Sequence, residues 1–187
     1  MKKICVFGTY KNLEAKHKDE IVRLGKLLAE NGFAVVSGGF SGAMTYVSQG
    51  AKSAGGHTIG VTYYKPESDK SKKANEFIDE EIRTTNIFDR ISRMMEISDG
   101  FVVLQGGTGT LLELAAILEH INKGLIVPNP IVAVGRFWKD LARNLSSENI
   151  LDDDAKSLSK IPTCDGLITF VKNAEEAVSQ IVKKVIV

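Results

Sequence analysis

The chain has 187 residues, 43% hydrophobic and 25% charged, with a formal net charge of +1. That length suffices for one domain with a sizeable core, expected over residues 1–187, and the composition is ordinary for a globular protein. So small a net charge gives no strong field for nucleic acid or a membrane surface, and no apolar run reaches transmembrane length.

Met1-Lys2-Lys3 leads into Ile4-Cys5-Val6-Phe7. The stretch is too short for a signal peptide, so a cytoplasmic protein is expected. Ile4–Gly8 reads as a first strand. Ile21, Leu24, Leu27 and Leu28 repeat at helical spacing, and Asn31-Gly32 gives a stop. Phe33–Ser37 reads as a second strand running into Gly38-Gly39-Phe40-Ser41-Gly42. Met44, Val47, Ala51 and Ala54 mark a helix closed by Gly55-Gly56, and Thr58–Tyr63 a third strand.

Lys65–Glu76 is polar, carries Pro66 and short basic positions (Lys70, Lys72, Lys73), and reads as a solvated surface loop. Ile78–Thr84 is extended. Thr85 or Asn86 can cap a helix bearing Ile87, Ile91, Met94 and Met95. Gly100–Leu104 is a strand, and Leu111, Leu114, Ala115 and Leu118 mark the helix after it. Of the two runs flanking Pro128 and Pro130, Ile131–Val134 is the better strand. Phe137–Asn144 reads as a short helix and Ser146–Lys160 as polar and irregular. Ile168–Val171 is a last strand, and Asn173 with Glu176 forms a capping-box-like start to a final helix through Lys184. Repeated strand–helix units of this length imply an α/β fold: a single-domain, Rossmann-like, doubly wound parallel sheet with helices on both faces.

In such sheets ligands bind beyond the carboxyl ends of the strands, near a topological switch. Three glycine-bearing segments fall there: Gly8, then Gly38, Gly39 and Gly42, then Gly106, Gly107, Thr108, Gly109 and Thr110. The last lies between a strand and a helix N-terminus, where backbone N–H groups and the helix dipole favour an anion such as phosphate. Glu113 follows on the first turns of that helix. Strand one lacks the second glycine of a dinucleotide fingerprint, and Thr110 is followed by Leu111 rather than a Walker lysine, so NAD(P) and P-loop readings are weak. Cys5 and Cys164 are far apart and outside any CxxC pair, which argues against a disulfide framework or structural zinc. His17, His57 and His120 share no motif, Trp138 reads as packing, and neither metal nor cofactor is expected.

Gly106-Gly107-Thr108-Gly109-Thr110-x-x-Glu113 resembles the P-G-G-x-G-T-x-x-E signature of the LOG ("Lonely Guy") family. Those proteins are cytokinin riboside 5′-monophosphate phosphoribohydrolases, often mislabelled lysine decarboxylases. No lysine here sits in a recognisable pyridoxal-phosphate setting. Ser37-Gly38-Gly39-Phe40-Ser41-Gly42-Ala43-Met44, Ala54–Val61 and Asp89-Arg90 are similar to further family landmarks, and the resemblance runs from about residue 4 to 135. Two positions depart from the pattern: Gln105 replaces the family's proline, and Ile91 replaces the lysine after the motif arginine.

The resemblance implies catalytic roles for Arg90 and Glu113, a homodimer with their helices near the interface, and a nucleoside 5′-monophosphate as substrate. The expected reaction is hydrolysis of the N-glycosidic bond to free base and ribose 5-phosphate. A carboxylate would lower the energy of its oxocarbenium-like transition state. Arg90 would bind phosphate or hold Glu113 ionised in a bidentate pair. Gly106–Thr110 would hold the phosphate, and Gly39 and Gly42 would admit the nucleotide closely. Ser92 and Arg93 are further contacts that no spacing rule selects. The molybdenum cofactor carrier proteins, a sister group, supply the alternative of a non-catalytic binder of a phosphorylated small molecule. An interaction protein with an inactive site is the third reading.

Overall fold

The computed structural model describes residues 1–64, 73–146 and 167–185. Within them the strands are β1 (Lys3–Phe7), β2 (Ala34–Ser37), β3 (Thr58–Tyr63), β4 (Glu80–Thr84), β5 (Gly100–Val103), β6 (Ile131–Val134) and β7 (Ile168–Val171). The helices are α1 (Ala15–Glu30), α2 (Ala43–Ser53), α3 (Ile87–Glu96), α4 (Thr108–Asn122), α5 (Lys139–Ser146) and α6 (Ala174–Val185). All strands pair in parallel in the order β4-β3-β2-β1-β5-β6-β7. The α/β Rossmann-like reading therefore holds. The basic positions Lys70 and Lys72, Cys164 and most of the irregular Ser146–Lys160 stretch lie outside the described residues.

Strand alternation separates two apolar layers. Ile4 and Val6 of β1 point to a cluster with Leu24, Leu28, Val47 and Ile181, from α1, α2 and α6. Cys5 and Phe7 point to the opposite cluster, with Met94, Leu114, Ile117 and Ala142 from α3, α4 and α5. Successive side chains of a strand face opposite sides, so one short apolar run serves both layers. The central strands are correspondingly rich in buried apolar residues, as strands covered on both faces are.

Local chemistry sets the helix ends. Asn86 caps α3, its side-chain oxygen accepting from the N–H groups of Phe88 and Asp89 at 2.9 and 3.0 Å. Asn173 does the same for α6 through Glu176 N–H at 2.9 Å. The Glu176 carboxylate reaches one residue further back than a regular capping box, accepting from Lys172 N–H at 2.9 Å. The short helix after β6 starts at Lys139 rather than Phe137, because Phe137 and Trp138 form a turn that buries the Trp138 indole.

Helices α1 and α2 touch backbone to backbone. A Cβ on Gly25 would lie 2.0 Å from the Val47 carbonyl oxygen, and one on Gly50 would lie 1.9 Å from that of Val22. Neither carbonyl can yield without unwinding its helix. Gly25→Ala is expected to lower stability by about 1–3 kcal/mol, although alanine is the better helix former. A lower urea midpoint with unchanged slope checks this.

Candidate functional site

β1 pairs with both β2 and β5, so the order in which strands are added reverses there, and in such sheets the crevice for ligands lies beyond the carboxyl ends of these strands. Gly8, the Gly38–Gly42 loop and the Gly106–Thr110 loop all lie around it. Arg90 on α3 and Glu113 on α4 enter from the helices covering the sheet, and both are nearly fully buried (6% and 7% exposed).

Arg90 is held on every side. Its Nε donates to the Val61 carbonyl at 2.7 Å, Nη1 lies 3.4 Å from Glu113 Oε1, and Nη2 lies 3.7 Å from Met44 Sδ. The guanidinium carbon sits 5.9 and 6.0 Å from the ring centroids of Phe40 and Tyr63, within cation–π range. A Cβ on Gly38 would fall 1.6 Å from Nη2. Gly38 is thus the opening through which the guanidinium lies against the backbone.

Of the two roles expected for Arg90, phosphate binding or a bidentate pair with Glu113, the bidentate pair is not formed. A single nitrogen faces Glu113 at 3.4 Å, longer than a charge-assisted hydrogen bond. Desolvation of the buried carboxyl outweighs the pull of Arg90 and raises the Glu113 pKa to about 7. Arg90 therefore does not hold Glu113 fully ionised near neutrality. Burial likewise pushes the Cys5 thiol well up, with the nearby Glu113 charge adding to it.

The glycines divide into two kinds. Gly8 packs against Ala43 and Leu104, with a would-be Cβ 2.8 Å from Ala43 Cβ. Gly39 and Gly42 adopt positive φ (+72° and +68°), and Gly42 closes on the Thr9 carbonyl. The fold itself requires these residues. A Cβ on Gly106 would strike Thr110 Oγ1 at 2.1 Å, because Thr110 folds back beneath the loop. By contrast, a Cβ on Gly107 or Gly109 would meet nothing within 4 Å among the described residues. Packing does not ask for glycine there. Both residues are exposed, as is Thr108, at the start of α4. Helix starts leave N–H groups without intrahelical partners.

Ser92 and Arg93 are exposed away from this cluster, Arg93 pairing with Glu96 at 3.1 Å. Ile91 is packed in the apolar core, so the residue replacing the family's lysine is a core residue here. Four residues escaped the sequence reading or were undervalued by it. Phe40 and Tyr63 cover Arg90. Asn75 clamps the glycine loop: its Nδ2 donates to the Gly39 and Phe40 carbonyls at 3.1 and 2.9 Å, and its N–H to Gly39 at 2.8 Å. Trp138 Nε1 donates to the Leu104 carbonyl at 2.9 Å, fixing the root of the second loop. Phe40 could have been noticed as a large ring inside a glycine-rich turn; Asn75 carried no signal.

The geometry defines a Rossmann-like protein with glycine-bearing loops at the sheet's switch point and a buried arginine–carboxyl pair beside them. Residues 1–157 match the SLOG cluster4 family, and the chain belongs to that family. It is 35% identical over 164 residues to the cytokinin riboside 5′-monophosphate phosphoribohydrolase LOG of Oryza sativa subsp. japonica, over 84% of this chain. The match spans 66% of that relative's length, just under two thirds. Among solved structures, the molybdenum cofactor carrier protein of Chlamydomonas reinhardtii superposes with a TM-score of 0.73 at 22% identity, over 100% of this chain and 99% of that one. The molybdenum cofactor binding protein of Rippkaea orientalis gives 0.69 at 23% identity, over 100% and 98%. At these identities the likeness is one of fold.

Between an unfolded value near 4.5 and a folded value of about 7, the folded chain binds the Glu113 proton more tightly. The contribution is complete below pH ~4.5 and is lost as pH rises through about 7. Relative to Glu113→Gln, the wild type should lose on the order of 3 kcal/mol between pH 4 and 8. Parallel melting curves across that range would show a falling Tm difference; a constant difference would contradict it.

Proposed function

We propose that this chain hydrolyses the N-glycosidic bond of a nucleoside 5′-monophosphate, releasing free base and ribose 5-phosphate. The observation that carries this reading is the buried Glu113 carboxyl facing Arg90 at 3.4 Å, on the helix whose first residues form the open Gly107–Gly109 turn. The rice relative's named activity supports it. The N–H groups of Gly106, Gly107, Thr108, Gly109 and Thr110, with the exposed Thr108 hydroxyl, receive the phosphate. Glu113, once ionised, stabilises the positive charge that develops on the ribose ring as the base departs, and orients the attacking water. Arg90 keeps that carboxylate in place and compensates its charge.

One observation favours the alternative of a non-catalytic carrier of a phosphorylated small molecule such as molybdenum cofactor. Arg90's contacts are already made within the protein, by Val61, Glu113 and two rings. That leaves the guanidinium little to offer a reacting group.

Release of free base from a panel of nucleoside 5′-monophosphates separates the two. Hydrolysis should be seen with wild type, rise with pH through about 7 as Glu113 ionises, and fall about a hundredfold or more in Glu113→Gln. No release from any monophosphate, with ligand still raising Tm, would assign the carrier role.

We also propose a homodimer built on α3 and α4. Phe88 on α3 is 68% exposed, and Leu111 and Leu112 on α4 are each 37% exposed, an apolar surface beside the arginine- and glutamate-bearing turns. Sedimentation across a dilution series should give twice the chain mass, and Leu112→Glu should give the monomer. A wild-type monomer at every concentration would overturn the assembly.

A further inference from the structure

We infer that Phe40 and Tyr63 form a stacking subsite for a planar nitrogen heterocycle, the specificity-determining end of the same crevice. This rests on the proposed reading of the crevice as a site for a phosphorylated small molecule, and goes beyond it by naming which residues meet the ring.

The two rings are 6.3 Å apart between centroids at 81°, and Phe40 stands at the same distance and angle to Tyr64. All three are half-buried and belong to neither of the two apolar clusters that fill the fold. Packing within those two layers therefore does not account for large rings here, and Arg90 lies against only two of the three. They gather where β2 and β3 end, alongside Arg90, whereas the Gly106–Thr110 loop follows β5 on the other side of β1. A phosphate at that loop and a ring against Phe40 and Tyr63 place the sugar beside Glu113 and Arg90.

The rings are also pre-positioned. Phe40 sits between two positive-φ glycines, and its carbonyl accepts from both Asn75 Nδ2 at 2.9 Å and Thr45 Oγ1 at 2.8 Å. Tyr64 is braced from behind: its hydroxyl donates to Glu81 at 2.6 Å, and the Arg83 guanidinium lies 5.0 Å above its ring. The backbone that carries Phe40 is thus already fixed, which lowers the ordering cost of binding. Every heteroaromatic ring has a π-face, so such a wall selects planarity rather than one base.

The test compares adenosine 5′-monophosphate with ribose 5-phosphate, which shares the sugar phosphate and lacks the ring. Calorimetric titrations use the Glu113→Gln protein, to suppress turnover, with and without Phe40→Leu, Tyr63→Leu or Tyr63→Phe. The monophosphate should bind more tightly than ribose 5-phosphate. Each leucine variant should weaken it by about tenfold, while Tyr63→Phe retains affinity. Ribose 5-phosphate affinity should stay unchanged throughout, which also shows that the variants are folded. Equal affinity for the two ligands, or equal losses for both in the leucine variants, would overturn the subsite. Ring-dependent binding by a wild type that releases no base would sink the hydrolase and leave the subsite standing. Failure of both ligands to bind would remove both.

Discussion

A guanidinium cannot shed its charge in a protein, so a buried arginine dictates its surroundings. Arg90 is 6% exposed, and much of the crevice is the means of accommodating it. The carbonyl of Val61 at the end of β3 accepts from it, Gly38 leaves it room, and Phe40 and Tyr63 turn their π-electron faces toward it. With the Val61 carbonyl and Glu113 also facing it, the guanidinium keeps partners when one of the two rings is trimmed.

Glu113 is the complementary case. It has only a distant share of Arg90's charge, and burial dominates its titration. A carboxyl poised near neutrality can exist in either form under ordinary conditions, and such poised groups are what acid–base chemistry requires. The loose, buried pair at 3.4 Å thus titrates unlike the tight ion pairs on the surface, such as Lys2 with Asp99 at 2.8 Å, whose carboxylate is held low by its partners.

The sheet was legible because its determinants are local. Apolar runs of four to six residues, helical spacing and end signals such as Asn86 and Asn173 locate the elements within a residue or two. The glycine loops were legible as punctuation at strand ends. Their individual reasons were not, since each depends on what lies opposite: Arg90 for Gly38, the α1–α2 crossing for Gly25 and Gly50. Asn75 stands 35 residues beyond the carbonyl it clamps, and no pattern in the chain links the two. The titration of Glu113 is hidden from the sequence for a related reason. Sequence spacing shows that an arginine and a glutamate can meet, but not how far apart, nor how dry the place is.

The placement of β1 has a consequence for how the molecule is made. Its neighbour on one side, β2, begins near residue 34, but its neighbour on the other is β5, with Ile4 opposite Gly100. A chain leaving the ribosome can complete the β1-to-β4 half while the far wall of the crevice is still unsynthesised. During that interval Arg90 has its carbonyl and its rings but lacks Glu113, and the β5-facing edge of β1 is unpaired. Closing a contact of that sequence separation is slow. Docking of β5 and α4 is therefore the step that both hides a sticky strand edge and brings Glu113 to Arg90. A nascent chain stalled before it would keep that edge exposed to aggregation.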